Sequence, residues 1–97
     1  MYTLLMWDPD AINPSYIHHL VVNITNKRTP DGITVLPYTP PAPPPGTGKH
    51  HYFTVLFKQP KAITIKSIKR ANFNVAAFVK TYDLEPIRES MFSVDSV

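Results

Sequence analysis

The chain has 97 residues, of which 43% are hydrophobic and 18% are charged, with a net charge of +3 and no cysteine. This length allows at most one small domain, which we expect to span residues 1–97, and this composition excludes a charge-driven disordered chain. The lack of cysteine excludes a disulfide scaffold, an iron–sulfur cluster and a thiolate zinc site, and the mild basic charge does not indicate nucleic acid as a partner.

Membrane and secretory segments are not predicted. No stretch of the sequence approaches the roughly 18 consecutive apolar residues that a membrane span needs. The apolar start, residues 1–7, has no basic region before it and meets Asp8 at once, which is unlike a signal peptide. We therefore expect no membrane span, and a cytoplasmic location agrees with a small domain that has no disulfides.

Short segments of β-branched and aromatic residues predict strands. They are Tyr2–Trp7, His19–Ile24, Ile33–Leu36 and Tyr52–Phe57, with Met91–Val94 as a candidate fifth strand. Between the third and fourth strands lies Pro40-Pro41-Ala42-Pro43-Pro44-Pro45-Gly46-Thr47-Gly48. Its prolines lack the amide hydrogens that a helix or a central strand uses. We predict a polyproline-like loop that turns at the glycines.

One helix is predicted in the last third of the chain. Asn74 can cap the run Val75–Tyr82, in which Phe78 and Tyr82 are four residues apart and share a face. Asp83 and Pro86 make continuation past Leu84 unfavourable. Short strands, long loops and one small helix together indicate a mostly β domain.

A basic run precedes this helix. It contains five cations and no acid, namely Lys58, Lys61, Lys66, Lys69 and Arg70. Isoleucines, rather than the aromatic residues that stack on bases, are interleaved with them. We expect a solvated face here.

Three polar clusters lie at predicted strand ends, where a β scaffold presents side chains to a loop-lined pocket. They are Asp8-Pro9-Asp10-Ala11, His18-His19 and Gly46-Thr47-Gly48-Lys49-His50-His51-Tyr52. Backbone amides around the two glycines can form a nest for phosphate oxygens, and imidazole and phenol groups add donors. Histidines and carboxylates also suit a metal ion, although the adjacent pairs lack the i, i+4 spacing of common zinc enzymes. An anion pocket and a metal site both remain open at this point.

In their order and spacing these clusters resemble the phosphatidylethanolamine-binding protein (PEBP) family. Two later segments resemble the family's C-terminal half, namely Asn72-Phe73-Asn74 and the stretch from Pro86 to Met91-Phe92. The resemblance implies a mostly β fold, a PEBP-like antiparallel β-sandwich with one or two short helices. It also implies a shallow pocket for phosphate-type anions or phospholipid headgroups, in proteins that are mostly not enzymes; no cofactor and no metal is expected.

The resemblance also implies roles for particular residues. By motif position, the ligand-binding residues are Asp8, Asp10, His19, His50 and Tyr52, and the pocket wall contains Pro9, Ala11, Gly46 and Gly48. His18 is expected to point into the scaffold, because adjacent residues of a strand face opposite sides.

The sequence departs from the family pattern in several places. Ile12 stands where the family usually has a proline, and His51 stands where it usually has an arginine, which forms different ion pairs. The family's usual N-terminal region and C-terminal helix have no counterpart in the 97 residues. Because open sheet edges are normally paired or covered, we expect a second copy of the chain or a partner to cover the exposed sheet.

The resemblance implies a regulatory binding module, with a kinase or a protease as the class of protein partner. Two alternatives remain. Pro40–Pro45 has the PxxP spacing that aromatic grooves recognise, so this loop could itself be the ligand of an interaction module. Asp8, His19 and His50 could instead form the acid–base group of a hydrolase or a metal-dependent enzyme, but the sequence shows no base for a nucleophile such as Thr47.

Overall fold

A computed structural model describes residues 1–12, 14–26 and 28–96. The strands are β1 (Tyr2–Asp8), β2 (Tyr16–Ile24), β3 (Ile33–Leu36), β4 (Lys49–Lys58) and β5 (Glu85–Asp95). A short 3-10 helix (Thr29–Asp31) precedes β3, and the helix α1 (Val75–Thr81) precedes β5. The strands form one antiparallel sheet in the order β3-β2-β1-β4-β5. The prediction of a mostly β chain is confirmed, and each predicted strand is present.

β1 is the central strand of the sheet, so its side chains are buried on both faces. Leu5 is 0% exposed and Met6 is 5% exposed, although the two point to opposite sides. The main core lies on the Leu5 face, where α1 and residues 59–73 cover the sheet. Its buried members are Leu5, Ile17, Leu20, Val22, Val55, Phe57, Ile63, Phe78 and Leu84.

The predicted helix is confirmed together with its cap. The side chain of Asn74 accepts a hydrogen bond from the amide of Ala77 at 2.9 Å, which satisfies one of the donors that every helix start leaves free. The rings of Phe78 and Tyr82 lie 5.0 Å apart on the face that meets the sheet. Asp83 has a φ of +50°, in the left-handed region, so the helical path cannot continue through it.

A buried polar network attaches the segment after β4 to the sheet. Gln59 accepts a hydrogen bond from the Thr3 hydroxyl at 2.6 Å and donates to Asn23 Oδ1 at 2.7 Å. Asn23 in turn exchanges two hydrogen bonds with the backbone of Ile63, each 2.8 Å long. Because Thr3 is 0% exposed and Gln59 is 3% exposed, water cannot replace a lost partner in this network.

We expect Gln59→Ala to lower the free energy of unfolding by about 2–4 kcal/mol, because it leaves buried donors and acceptors without partners. Lys61→Ala, at an exposed position two residues away, should change it by less than about 0.5 kcal/mol. Urea denaturation of both variants measures the difference. Equal midpoints for the two would contradict this role of the network.

β5 forms an open edge of the described sheet. Three of its large apolar side chains are exposed, namely Ile87 at 45%, Met91 at 53% and Phe92 at 45%. Pro86 lies within this strand, and edge strands are where a proline is tolerated. The expected cover of an open edge by a second copy or a partner stays a prediction, and β5 is the strand it concerns.

If a second copy pairs with β5, the sedimentation coefficient should rise with protein concentration in the micromolar range. Met91→Lys should remove that rise, because a charge on an edge strand opposes pairing. Thr64→Lys adds the same charge at an exposed position away from the edge and should leave the rise unchanged. A monodisperse wild-type monomer at every concentration would rule out self-association.

Candidate functional site

A buried carboxylate–imidazole pair joins the end of β1 to the start of β4. Asp8 Oδ2 accepts a hydrogen bond from His50 Nδ1 at 2.6 Å, and the side chains are 4% and 1% exposed. The other oxygen, Oδ1, accepts from the amide of Asp10 at 2.8 Å. A carboxylate out of water needs such donors, so these two bonds fix both Asp8 and the turn that follows β1.

The pair continues into the glycine turn before β4. His50 Nε2 lies 2.8 Å from Thr47 Oγ1, and Oγ1 donates to the carbonyl of Pro44 at 2.6 Å. Gly46 and Gly48 on either side of Thr47 have φ values of +79° and +85°, which side-chain-bearing residues rarely adopt. The glycines therefore let the turn place Thr47 between His50 and the proline segment.

A cavity of about 290 Å³ lies beside this pair. Its polar end contains titratable side chains from the first, second and fourth strands, namely Asp8, Tyr16, His18, His50 and Tyr52. Its apolar wall contains side chains from the loops, namely Ala11, Ile12, Pro40, Ala42, Pro43, Pro44 and Ala71. An apolar wall with a few converging polar groups is the usual make-up of a small-ligand site.

Tyr52 is the central ring of the polar end. Its ring lies edge-on to His18 at 5.2 Å and stacked on Phe92 at 5.2 Å. Burial, followed by the charge of the nearby Asp8 carboxylate, raises the pKa of the Tyr52 phenol. A hydrogen bond to the Asp8 carboxylate acts in the same direction, so Tyr52 keeps its hydroxyl hydrogen throughout the neutral range.

Some of the predicted site residues line the cavity and some do not. Asp8, His50, Tyr52 and Ala11 line it. The other predicted residues, Asp10, His19, Pro9, Gly46 and Gly48, are not among the lining residues of the described chain. The reasons differ from residue to residue.

Asp10 forms a second, exposed pair with His51. Asp10 Oδ2 accepts from His51 Nδ1 at 2.7 Å and from the His51 amide at 2.8 Å, and these side chains are 38% and 41% exposed. The hydrogen bond from the His51 ring and then that from its amide hold the pKa of Asp10 below its usual value. Because His50 and His51 are adjacent in β4, their side chains point to opposite faces, and the carboxylate bound to His51 is directed away from the cavity.

The structure places His18, and not His19, in the lining of the cavity, because β2 contains a bulge. Met6 pairs with His19 whereas Trp7 pairs with Ile17, so His18 is the extra residue. His18 is 6% exposed and lines the cavity, with its ring 5.2 Å from those of Tyr16 and Tyr52.

His19 lies elsewhere. Its ring contacts Tyr38 at 5.8 Å. Burial, followed by the positive charge of Arg70, lowers the pKa of the His19 imidazole. His19 therefore belongs to the packing of the loop that contains Tyr38.

The predicted amide nest in the glycine turn is also not free. The Thr47 amide donates to the Pro44 carbonyl at 3.3 Å, and the Gly48 amide donates to Ser96 Oγ at 2.7 Å. Both amides are thus used within the chain. Gly46 and Gly48 shape the turn rather than the cavity wall.

Sequence reasoning missed Tyr16, His18 and Arg70. Tyr16 lies two residues before His18, a spacing that could have indicated it once His18 was placed. The four lysines of the basic run are exposed as expected, but Arg70 is half-buried and donates to the carbonyls of Ile17 at 3.0 Å and Pro37 at 2.8 Å. These bonds hold the end of the basic run and the loop after β3 against β2, and no pattern in the sequence indicates this.

No helix among the described residues is long and apolar enough to cross a membrane. No three side chains of His, Cys, Asp or Glu within residues 1–12, 14–26 and 28–96 are grouped so as to hold a metal ion.

The fold and the site thus define a small sheet protein with a ligand-sized cavity at the strand ends. A family-wide comparison matches residues 1–91 to phosphatidylethanolamine-binding protein. The chain belongs to this family, and the PEBP-like fold and family predicted from the sequence are confirmed.

Individual relatives agree with this assignment. The chain is 31% identical to a 26 kDa secreted antigen of Toxocara canis, in an alignment that covers 86% of the chain and 37% of the antigen. Its fold is similar to that of a carboxypeptidase Y inhibitor crystallised with its cognate proteinase (TM-score 0.79, 24% identity, 99% of the chain and 60% of the inhibitor chain). It is equally similar to a phosphatidylethanolamine-binding protein from Plasmodium vivax (TM-score 0.79, 23% identity, 99% and 64%). The chain therefore spans about a third of the curated relative and under two thirds of these solved structures.

The two adjacent histidines provide a matched test of the buried pair. We expect His50→Ala to lower the free energy of unfolding by about 3–5 kcal/mol, because it leaves the Asp8 carboxylate buried without its partner. His51→Ala removes an exposed pair and should cost less than about 1 kcal/mol. Urea unfolding at pH 7 measures both. Similar losses for the two variants would contradict the assignment of the buried pair to His50.

Proposed function

We propose that this chain is a binding module whose cavity accepts a phosphate-type anion or a phospholipid headgroup. The observation that carries the proposal is the convergence of Asp8, His18, His50, Tyr16 and Tyr52 at one end of the 290 Å³ cavity. These side chains offer phenol and imidazole groups for the oxygens of a phosphate. The volume suits a headgroup or a small phosphate ester rather than a macromolecule.

The charge of Asp8 does not exclude an anion from this site. His50 donates to one carboxylate oxygen and the Asp10 amide donates to the other. The carboxylate is thus bonded to protein donors on both oxygens, and its role is to orient His50. The Tyr52 phenol also stands against this carboxylate.

The apolar wall supports a ligand that has a non-polar part. Pro40, Pro43 and Pro44 line the cavity. Proline has little backbone freedom to lose, so such a wall is already ordered before the ligand binds. The carbon skeleton of an ethanolamine or glycerol headgroup would lie against it.

The same observation weakens the alternative in which Pro40–Pro45 is itself a ligand for an aromatic groove. A proline-rich ligand needs a free face to dock. Three of these prolines face the cavity. We therefore favour the wall over the docking segment.

The hydrogen bonds around Thr47 weaken the hydrolase alternative. Thr47, His50 and Asp8 lie in the order of a nucleophile, a base and an orienting acid, but the Thr47 hydroxyl donates its hydrogen to the Pro44 carbonyl and not to His50. The amides of Thr47 and Gly48 are already bonded within the chain, however, so neither can stabilise the oxyanion of a reaction at Thr47. Binding without turnover is the function we propose.

We also propose that the module is regulatory, with a protein partner of the protease or kinase class. The support is similarity of fold to an inhibitor crystallised with its proteinase. That similarity concerns the part of the inhibitor which this chain spans.

The binding proposal predicts that filling the cavity mouth abolishes binding. Ala42 is exposed and lines the cavity, whereas Ala62 is exposed and lies outside the lining. Ala42→Trp should weaken binding of O-phosphoethanolamine at least tenfold without unfolding the chain, because neither member of the buried pair is changed. Ala62→Trp should bind as the wild type does. Isothermal titration calorimetry measures both.

The source of the ligand is decided by a second set of titrations. Inorganic phosphate, O-phosphoethanolamine and vesicles that contain phosphatidylethanolamine are compared on the wild type. Binding of the two soluble compounds alone indicates a free phosphate ester, and binding of the vesicles indicates a lipid headgroup. If none of the three binds, the proposed function is wrong.

A further inference from the structure

Resting on the proposed function, we propose that the cavity takes up one proton together with its anionic ligand, and that Nε2 of His18 holds this proton. His18 is a buried imidazole with one nitrogen bonded to the protein and the other directed at the cavity. The donor and acceptor roles of these two nitrogens follow from their partners.

The protein fixes the tautomer of His18. Nδ1 lies 2.7 Å from the carbonyl oxygen of Thr39. A carbonyl oxygen only accepts, so Nδ1 carries a hydrogen. The backbone bond from the Thr39 amide to the His18 carbonyl, 2.8 Å long, holds the two residues in this position. In the neutral ring, Nε2 is then a bare lone pair.

Nε2 is the atom that a ligand meets. His18 is 6% exposed and lines the cavity. Among the described residues, Nε2 of His18 has no hydrogen-bond partner. Every described side-chain nitrogen or oxygen that is closed off from solvent does have a partner, so Nε2 is not closed off. Nε2 therefore has its access through the cavity. The polar end thus presents an acceptor at the place where an anion must also be received.

Two acceptors repel unless a hydrogen lies between them. An anion oxygen can approach Nε2 only if Nε2 is protonated or if the ligand brings the hydrogen as a P–OH group. Either way the complex contains one proton more than the neutral pocket and the fully ionised ligand. The ligand class is therefore an acid oxoanion, bound in its hydrogen-bearing form or with a proton from solvent.

The groups that surround the His18 ring permit this change of charge. Tyr16 and Tyr52 contact it with their rings, and Asp8 and His50 lie at the same end of the cavity. The Arg70 guanidinium is on the backbone side, 3.4 Å from the His18 carbonyl oxygen. A negatively charged ligand beside this ring would stabilise the imidazolium form of His18.

Sulfate is the probe that separates the two carriers of the proton, because it stays fully ionised near neutral pH. Calorimetric titration of the wild type with sulfate, in buffers of different ionisation enthalpy, gives the number of protons taken up. We expect about one proton per sulfate at pH 7.5. The affinity should then fall about tenfold between pH 7.5 and pH 8.5, since one proton is linked to binding.

Two variants test the assignment to His18. In His18→Gln a side-chain amide provides a permanent donor, so sulfate should bind without proton uptake and with little dependence on pH. His19→Gln changes the neighbouring imidazole outside the cavity and should keep the uptake. If His18→Gln does not fold, the ¹⁵N shift of His18 Nε2 in the wild type reports the same event, because it moves to the protonated range when sulfate is added.

The outcomes are distinct. Sulfate binding without proton uptake, uptake that persists in His18→Gln, or an Nε2 shift that does not move would overturn the inference and leave the proposed function in place. Failure of sulfate to bind a wild type that binds O-phosphoethanolamine would also overturn the inference alone. If inorganic phosphate, O-phosphoethanolamine and the vesicles all fail to bind, the proposed function is wrong, and this inference with it.

Discussion

The structure of the site depends on the need of one buried carboxylate for donors. Asp8 ends the central strand of the sheet with its side chain only 4% exposed, and a charge so placed is costly unless it is bonded. Its two oxygens are satisfied by His50 and by the amide of Asp10. This requirement brings the turn after β1 against the start of β4. Through His50 it extends to Thr47 and to the carbonyl of Pro44, so the proline segment is also held beside the cavity.

Two carboxylate–histidine pairs stand side by side in this chain and differ only in their surroundings. Asp8 bonds His50 out of water, and Asp10 bonds His51 in water, at nearly equal distances of 2.6 and 2.7 Å. Burial makes the first pair a condition of the fold, whereas solvent screens the second. The sequence presents two acids two positions apart and two adjacent histidines, so composition alone treats all four as equivalent. Strand alternation at His50 and His51 separates the pairs.

Much of the fold could be predicted because local residue chemistry decides it. Proline content identifies the loop of residues 40–45, Asn74 identifies the start of α1, and apolar residues on both faces identify β1 as a buried strand. The place of His18 in the cavity lining, which the sequence did not indicate, depends on one residue of register. His18 is the extra residue of a bulge in β2, opposite Met6 and Trp7, while His19 keeps its place opposite Met6. Such a bulge is a property of two paired strands, and a single sequence does not display it. The same holds for Arg70, whose carbonyl partners come from β2 and from the loop after β3.

The bulge also determines what the cavity can recognise. A regular β2 would place only His19 on this face, whereas the bulge also brings His18 to the cavity, with its ring already bonded to the Thr39 carbonyl. Of the lining groups, Tyr52 keeps its hydrogen because burial and Asp8 oppose its ionisation, and the imidazole of His50 has both nitrogens bonded. The hydrogen-bonding role of His18 Nε2 is therefore the one that can change when a ligand enters. Selectivity at the polar end of the cavity then depends on whether a hydrogen lies between the anion oxygen and Nε2 of His18. The proline wall selects the carbon skeleton that carries the anion.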